Sequence, residues 1–181
     1  MINKELILSK SIDNNITGIL SKVLEAPIQK NGFIIKNYDG VDFLELYNPE
    51  GKRLCEDLSY YILKYAKELL DKDFNSILVG GLGLGIIPFA VQDFCDVIDV
   101  IEIEPAIIDI NAELNVLNSK VNVIEADIFT FQPTKNYDIV VMDVIYRPYT
   151  IEEMGLLNSI YLPNINEGGF IYYPINILSK T

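Results

Sequence analysis

The sequence predicts an α/β protein built on a doubly wound parallel sheet, and three observations support this. Strand-like apolar runs alternate with helical patterns from residue 76 onward. The run at residues 139–142 is apolar throughout, as expected of a strand that is covered on both faces. The first strand of the series breaks directly into the glycine-rich segment 80–85. Such alternation is typical of a parallel sheet with helices packed on its faces.

The residues before residue 76 predict a smaller set of elements. Apolar positions at helical spacing predict a short helix over residues 16–24. Strand-like runs at 32–38 and 41–47 flank Asp39-Gly40, a favoured hairpin turn, and therefore predict a β-hairpin. A turn at residues 48–51 and a helix over 58–70 follow.

The core elements are expected in strict alternation. Strands are predicted near 76–81, 97–103, 121–126, 138–143 and 168–177, with helices near 84–93, 105–118 and 151–162. We divide the chain into an N-terminal part, residues 1–72, and an α/β core, residues 73–181, that together form one compact unit. The last strand falls at a sheet edge, where Pro174 is tolerated. Because that edge is apolar, we expect a homodimer, with the hairpin as the rival interface.

The composition indicates a globular protein and limits where in the cell it is expected. The chain has 181 residues, half of them hydrophobic, which favours one globular domain. It contains no apolar run of the ~18 to 20 residues that a membrane span requires, and its start does not resemble a signal peptide. We therefore expect a cytoplasmic protein that is not embedded in a membrane. Cys55 and Cys95 lack metal-binding spacing and receive no role.

Charge and histidine content exclude several functions. Lys and Arg number 14 against 26 Asp and Glu, a formal charge of −12, so nucleic acid is a poor partner and a cationic ligand a better one. Histidine is absent, which removes the commonest general base and the commonest metal ligand. We expect no metal, and acid–base chemistry would fall to other side chains.

The glycine segment predicts a ligand site at the first strand-to-helix turn. The spacing Gly81-x-Gly83-x-Gly85 is not the dinucleotide fingerprint, and Ile86 and Ile87 replace the lysine and hydroxyl of a phosphate loop. These differences favour a smaller adenosyl ligand over pyrophosphate cofactors. A tight structural turn alone would also explain the glycines.

Glu102 is the second candidate. It follows Gly81 at about the ~20-residue distance at which a second strand delivers a carboxylate to ribose hydroxyls. One carboxylate can accept hydrogen bonds from both hydroxyls.

Taken in order, the segments 80–85, 102–105, 125–129 and 137–143 resemble the successive motifs of class I S-adenosylmethionine-dependent methyltransferases. More narrowly, they resemble the spermidine synthase branch, as does the segment 56–61. The resemblance runs from about residue 33 to residue 178 and implies a Rossmann-like methyltransferase fold with S-adenosylmethionine as cofactor. Proteins of this class usually continue beyond the fifth strand, so the chain is expected to be C-terminally short.

The resemblance also implies roles for individual residues. Gly81, Gly83 and Gly85 would receive the amino-acid end of the cofactor and Glu102 its ribose. Asp127 would bind the adenine amino group, and a solvent-exposed acid at a strand end is the alternative explanation for it. Ile103 and Ile128 would flank the adenine ring.

The loop after the fourth core strand determines the reaction. Spermidine synthases carry two aspartates there, whereas this chain has Asp143 followed by Tyr146, and it has Gly83 where those enzymes have another Asp. Both differences favour methyl transfer over aminopropyl transfer. We assign Asp143 as the catalytic proton or hydrogen-bond acceptor and Tyr146 as a catalytic pocket wall with an assisting hydroxyl. A strand-end cap for Asp143, and packing roles for Tyr146 and Tyr149, remain alternatives.

The sequence thus predicts an S-adenosylmethionine-dependent methyltransferase that acts on a small molecule or a protein side chain. One alternative is an aminopropyltransferase that uses the decarboxylated cofactor. The other is a catalytically silent module that binds the cofactor or a partner.

Overall fold

The computed structural model describes residues 28–37, 44–56, 74–144 and 149–173. These residues form two sheets, one antiparallel with four strands and one parallel with five. The predicted helices at 16–24 and 58–70 lie outside the described residues. Within the described part, none of the helices is both long and apolar enough to cross a bilayer.

The smaller sheet confirms the predicted hairpin pairing and extends it. Its strands, in spatial order, are β1 (Ile28–Lys30), β2 (Phe33–Asn37), β3 (Leu44–Tyr47) and β4 (Arg53–Glu56). Strands β2 and β3 pair antiparallel with Ile34 opposite Tyr47. The predicted Asp39-Gly40 turn lies outside the described residues. Strands β1 and β4 were not predicted, because three or four residues are too few to display a clear alternation.

The predicted turn at residues 48–51 is confirmed and joins β3 to β4. The Asn48 amide donates to the Lys52 carbonyl at 2.9 Å, and the Gly51 amide donates to the Asn48 carbonyl at 2.9 Å. The Asn48 side-chain oxygen also accepts from the Lys52 amide at 2.8 Å. Gly51 has φ +76°, a backbone conformation that glycine adopts without steric cost. The turn is therefore closed by three hydrogen bonds around one asparagine.

The larger sheet has the predicted alternation. Its elements in chain order are β5 (Ser76–Gly80), α1 (Ile86–Val91), β6 (Val97–Glu102), α2 (Pro105–Leu114), β7 (Val121–Glu125), β8 (Tyr137–Met142), α3 (Ile151–Tyr161) and β9 (Ile165–Tyr172). The spatial order is β7-β6-β5-β8-β9, and every neighbouring pair is parallel. This is the predicted doubly wound sheet. Strand β9 begins earlier than predicted, and residues from 174 onward lie outside the described range.

Alternate residues of the central strands pack on opposite sides of the sheet. On one side, Ile77 and Val79 join a cluster that includes Ile110 of α2 and Leu46 of the smaller sheet. On the other side, Leu78 joins a cluster whose helical members lie on α3. Both faces are thus covered, which explains the continuous apolar run of β8. The smaller sheet belongs to the same apolar cluster as α1 and α2.

Two aspartates, the buried Asp99 and the partly buried Asp138, organise the end of the sheet where its strands begin. Asp99 of β6 is almost fully buried; its carboxylate accepts from the Tyr137 hydroxyl at 2.6 Å and from the Lys135 ammonium at 2.9 Å. Burial alone would raise the pKa of Asp99, but these bonds and a third, from the Asn122 side chain, lower it. The strands β6, β7 and β8 are thereby tied together by one carboxylate.

Asp138 makes the corresponding connection between β5, β8 and β9. One oxygen accepts from the Asn75 and Ser76 amides, both at 2.8 Å, and the other accepts from the Asn166 side chain at 2.7 Å. Burial opposes ionisation, yet these hydrogen bonds outweigh it and lower the pKa of Asp138 to about 2. Tyr137 and Asp138, the first two residues of β8, therefore have structural roles at the end of the sheet where its strands begin.

We expect Asp138→Asn to lower the free energy of unfolding at neutral pH by about 1.5–3 kcal/mol, because an amide presents a donor where the carboxylate only accepts. The folded-state pKa is below the unfolded value, so the wild-type advantage should be full above about pH 4 and disappear as the pH falls towards about 2. Denaturant unfolding at several pH values measures this. Asp96→Asn, at an exposed acid, is the control and should change little; equal effects of both substitutions would contradict the role of Asp138.

Candidate functional site

The carboxyl ends of the central strands meet at one edge of the larger sheet. The Gly81 amide donates to the Ile101 carbonyl at 2.8 Å, and the Asp143 amide donates to the Gly80 carbonyl at 2.9 Å. These bonds continue the strand pairing past β5 and β8 into the loops. In open α/β sheets, ligands bind at this edge. The predicted site segments 80–85, 102–105 and 125–129 and the residue Asp143 all follow strands that end here.

The glycine loop adopts the conformations that favour glycine. Gly81, Gly83 and Gly85 have φ values of +90°, +51° and +73°. A Cβ added to Gly81 would collide with the carbonyl oxygen of Asp143, and one added to Gly85 would lie 2.5 Å from the Asn111 side-chain oxygen. At these two positions the packing of the protein itself requires glycine. The tight-turn explanation is therefore correct for Gly81 and Gly85, whatever ligand the loop also binds.

Glu102 holds the glycine loop to the end of β6. Only 7% of Glu102 is exposed. One carboxylate oxygen accepts from the Leu82 amide at 2.9 Å, and the other accepts from the Glu104 amide at 2.9 Å. Each oxygen has a second lone-pair direction for a ligand hydroxyl. Glu102 therefore has a structural role that the spacing did not reveal, together with a place on the site.

Asn111 of α2 is a site-supporting residue that the sequence reasoning missed. Its side-chain amide donates to the Gly83 carbonyl at 2.8 Å and to the Ile107 carbonyl at 3.0 Å. The side chain is buried, and its oxygen accepts no hydrogen bond within the described part of the chain. A polar residue between Ile110 and Leu114 on an apolar helix face was the available signal. It shows only that the side chain needs a partner, not which one.

A cavity of about 850 Å³ opens at this edge. One part of its wall comes from the glycine loop and the ends of β6, β7 and β8. Another part comes from the smaller sheet. The sequence did not predict that this sheet would contribute to the cavity. The described residues that line the cavity include five acids and no Lys or Arg. The acids are Glu50, Glu102, Glu104, Asp127 and Asp143. The cavity is of a size that accommodates small-molecule ligands, and its charge favours cations.

The structure brings most of the predicted binding residues to this cavity. Gly81, Gly83, Glu102, Ile103, Asp127 and Ile128 all line it. Ile103 is 64% exposed there, an apolar surface suited to contact with a ring. Ile128 is buried, with its side chain packed against Gly80. One oxygen of Asp127 accepts from the Phe129 amide at 2.9 Å, which fixes the turn and directs the acid to the wall.

Asp143 lies on the cavity wall at the end of β8. Its side chain is exposed to the cavity, yet the surrounding protein displaces enough water to raise the pKa of the carboxyl group to about 6. A carboxyl group with a raised pKa is a stronger base when ionised.

Two tyrosines, Tyr146 and Tyr149, follow Asp143 in the chain. Tyr146 lies outside the described residues. Tyr149 is buried; its hydroxyl donates to the Met142 carbonyl at 3.0 Å and accepts from the Val144 amide at 3.3 Å. Its ring packs edge-on against Tyr173 with a centroid distance of 5.1 Å. The packing interpretation of Tyr149 is thus confirmed.

Comparison with known proteins gives structural matches alone: no protein-family model and no curated protein matches this chain. The N-methyltransferase NodS from Bradyrhizobium japonicum WM9, in complex with S-adenosyl-L-homocysteine, superposes with a TM-score of 0.54 at 17% identity, over 64% of this chain and 59% of NodS. The glycopeptide N-methyltransferase MtfA superposes with a TM-score of 0.52 at 12% identity, over 64% of this chain and 52% of MtfA. CalS10, an amino pentose methyltransferase from Micromonospora echinaspora, superposes with a TM-score of 0.50 at 18% identity, over 61% of this chain and 49% of CalS10.

At these identities the likeness establishes the fold, which is the fold of these methyltransferases. The predicted Rossmann-like methyltransferase architecture is confirmed. The chain spans 49% to 59% of the length of the three proteins.

We expect Glu102→Gln to loosen the glycine loop, because one amide hydrogen would then face the new side-chain NH₂ group instead of an acceptor. Hydrogen exchange at the Leu82 or Glu104 amide should accelerate, and stability should fall by about 1–3 kcal/mol. Hydrogen exchange with mass spectrometry or NMR measures this. Glu104→Gln removes an acid from the same cavity and is the control; if it has the same effect, loss of charge rather than loss of these bonds is responsible.

Proposed function

We propose that this protein is an S-adenosylmethionine-dependent methyltransferase. The observation that carries the proposal is the hydrogen bond from the Leu82 amide to the Glu102 carboxylate, which joins the glycine loop to an acid on the same cavity. Support comes from the fold, which is shared with NodS bound to S-adenosyl-L-homocysteine. The methyl group would pass to a small molecule or a protein side chain.

The residues present fit this cofactor. The glycine loop would receive its amino-acid end, Glu102 its ribose hydroxyls and Asp127 its adenine amino group. Ile103 and Ile128 would contact the adenine ring, Ile103 through its exposed side chain. When bound, the cofactor supplies a methyl group on a cationic sulfonium, and a wall of acids without Lys or Arg among its described residues suits that charge.

The chain's own contribution to the reaction is to orient the acceptor and to receive its proton. Asp143 stands on the wall next to the glycine loop, since its carbonyl oxygen abuts Gly81. Its ionised carboxylate would accept a hydrogen bond or a proton from the attacking group. Alignment of the reacting groups supplies most of the acceleration in this type of transfer, as much as ~7 to 11 kcal/mol.

The relation to spermidine synthases is a narrower part of the proposal. It is supported by the sequence motifs and by the antiparallel sheet that precedes the parallel one. An acid-lined cavity also favours a cationic amine, the acceptor of an aminopropyltransferase. Methyl transfer is preferred because Tyr146 and Gly83 replace two of that branch's carboxylates. The N-terminal part and the α/β core would act as one unit, since residues of both line the cavity.

Calorimetric titration separates these possibilities. The purified chain is titrated with S-adenosylmethionine, S-adenosylhomocysteine, methylthioadenosine and decarboxylated S-adenosylmethionine. The proposal expects the first two to bind most tightly. Preference for the decarboxylated form would support aminopropyl transfer, and no binding of any of the four would contradict both enzymatic functions.

We expect Gly83→Val to abolish S-adenosylhomocysteine binding, because a branched side chain at φ +51° strains the loop and fills cavity space. Titration calorimetry measures the affinity, and thermal melting shows whether the variant folds. Gly155→Val on α3 is the control, since an added Cβ there meets nothing within 4 Å. Normal binding by a folded Gly83→Val protein would show that this glycine serves the turn alone.

We expect Asp143→Asn to lower turnover far more than cofactor affinity, because the amide keeps the shape of the side chain but cannot take a proton. Wild-type kcat/KM should rise with pH through an inflection near pH 6, because desolvation raises the pKa of Asp143 from its ordinary value to about 6 in the ligand-free protein. The variant should lack this inflection. A methyl-transfer assay with labelled S-adenosylmethionine against amines, small acids and proteins measures both effects. Full activity of the variant would remove Asp143 from the mechanism.

A further inference from the structure

The part of the cavity wall that comes from the smaller sheet has no role in the proposed cofactor site. Its apolar members are Phe33 of β2, Leu46 of β3 and Leu54 of β4. Its other members are Asn48, Pro49 and Glu50 of the β3–β4 turn. We call these six residues the small-sheet wall. The proposed cofactor residues all come from the carboxyl ends of the parallel strands and the loops that follow them. The small-sheet wall therefore borders space that a second ligand can use.

The turn that carries Glu50 is held in a fixed position. Three hydrogen bonds around Asn48 close it, as described above. Pro49 packs directly on Gly32, since a Cβ added to Gly32 would lie 3.0 Å from two carbons of the proline ring. Gly32 itself has φ +85°, so a larger residue is disfavoured there by conformation as well. Glu50 is exposed to solvent at the cavity while its backbone is anchored on both sides.

The charge of the small-sheet wall points to the kind of ligand. Glu50 is the charged residue of this wall, and no Lys or Arg is among the described residues that line the cavity. Of the other acids on the cavity, Glu102 is bonded to two backbone amides and Asp127 to one. A carboxylate beside apolar side chains, with no cation on the described walls, is complementary to a ligand with an apolar body and a positive charge.

We propose that the small-sheet wall binds the acceptor, and that this acceptor is an amphiphilic amine whose cationic group pairs with Glu50. The inference rests on the proposed function and adds the substrate class. Leu54, which is partly buried, contacts the apolar body, and the buried Phe33 and Leu46 of the same apolar cluster support it from the core. Glu50 determines specificity by anchoring the cation, whereas the group that is methylated faces Asp143. A neutral or acidic analogue of equal length lacks the pairing partner and binds more weakly.

A matched pair of probes tests the charge requirement. n-Hexylamine is cationic at neutral pH, and 1-hexanol has the same chain without the charge. Each is titrated into protein saturated with S-adenosylhomocysteine, at low ionic strength. We expect the amine to bind at least about threefold more tightly than the alcohol, the scale of an ion pair that water reaches. Added salt should reduce this preference.

Substitutions then locate the charge. Glu50→Gln should reduce amine affinity to about that of the alcohol and leave binding of the alcohol unchanged. Glu113→Gln, at an exposed acid of α2 outside the cavity, is the control and should behave as the wild type. Equal binding of the two probes, absence of amine binding, or a loss of preference in Asp143→Asn but not in Glu50→Gln would overturn the inference.

Failure of this inference is distinguishable from failure of the proposed function. If S-adenosylhomocysteine itself does not bind, the methyltransferase proposal and the acceptor inference both fail. If it binds but the amine shows no preference over the alcohol, only the acceptor inference is wrong.

Discussion

The site depends on a single buried carboxylate. The two carboxylate oxygens of Glu102 accept hydrogen bonds from the amides of Leu82 and Glu104. These bonds hold the loop after β5 against the loop after β6. A glycine loop has little intrinsic preference for one conformation, because glycine loses more backbone entropy on ordering than other residues. Charge-assisted hydrogen bonds to a buried acid supply the order that the loop's own side chains cannot. The same acid is then available to a ligand from a defined position.

Close packing around the loop completes this constraint. The carbonyl of Asp143 abuts Gly81 on one side, and Asn111 binds the Gly83 carbonyl on the other. Three neighbouring elements, β6, α2 and the end of β8, therefore determine where the loop's amides lie. Gly81 is required by the packing of the protein and also lines the cavity, so the structural and functional explanations of the motif do not compete.

Much of this architecture could be predicted from the sequence. Apolar patterns located all five parallel strands of the described part of the chain. For the central strands β5, β6 and β8 the reason is that a strand buried on both faces must be largely apolar. Strands β1 and β4 escaped prediction because they are short and are stabilised by pairing partners distant in the sequence. The spacing of Gly81 and Glu102 predicted that these residues lie together, and both line the cavity, but no pattern could show that Glu102 also accepts hydrogen bonds from backbone amides. Asn111 and the small-sheet wall depend on tertiary packing, which a local pattern does not report.

The most direct test of the central claim is an amide chemical-shift map recorded with and without S-adenosylhomocysteine. We expect large shifts at the amides of residues 81–84, 102–104 and 127–128, which line the cavity. We expect small shifts at Asn75, Ser76 and Asn166, which lie at the opposite end of the strands. Shifts concentrated at that opposite end, or no shifts at saturating ligand, would contradict a cofactor site organised by Glu102.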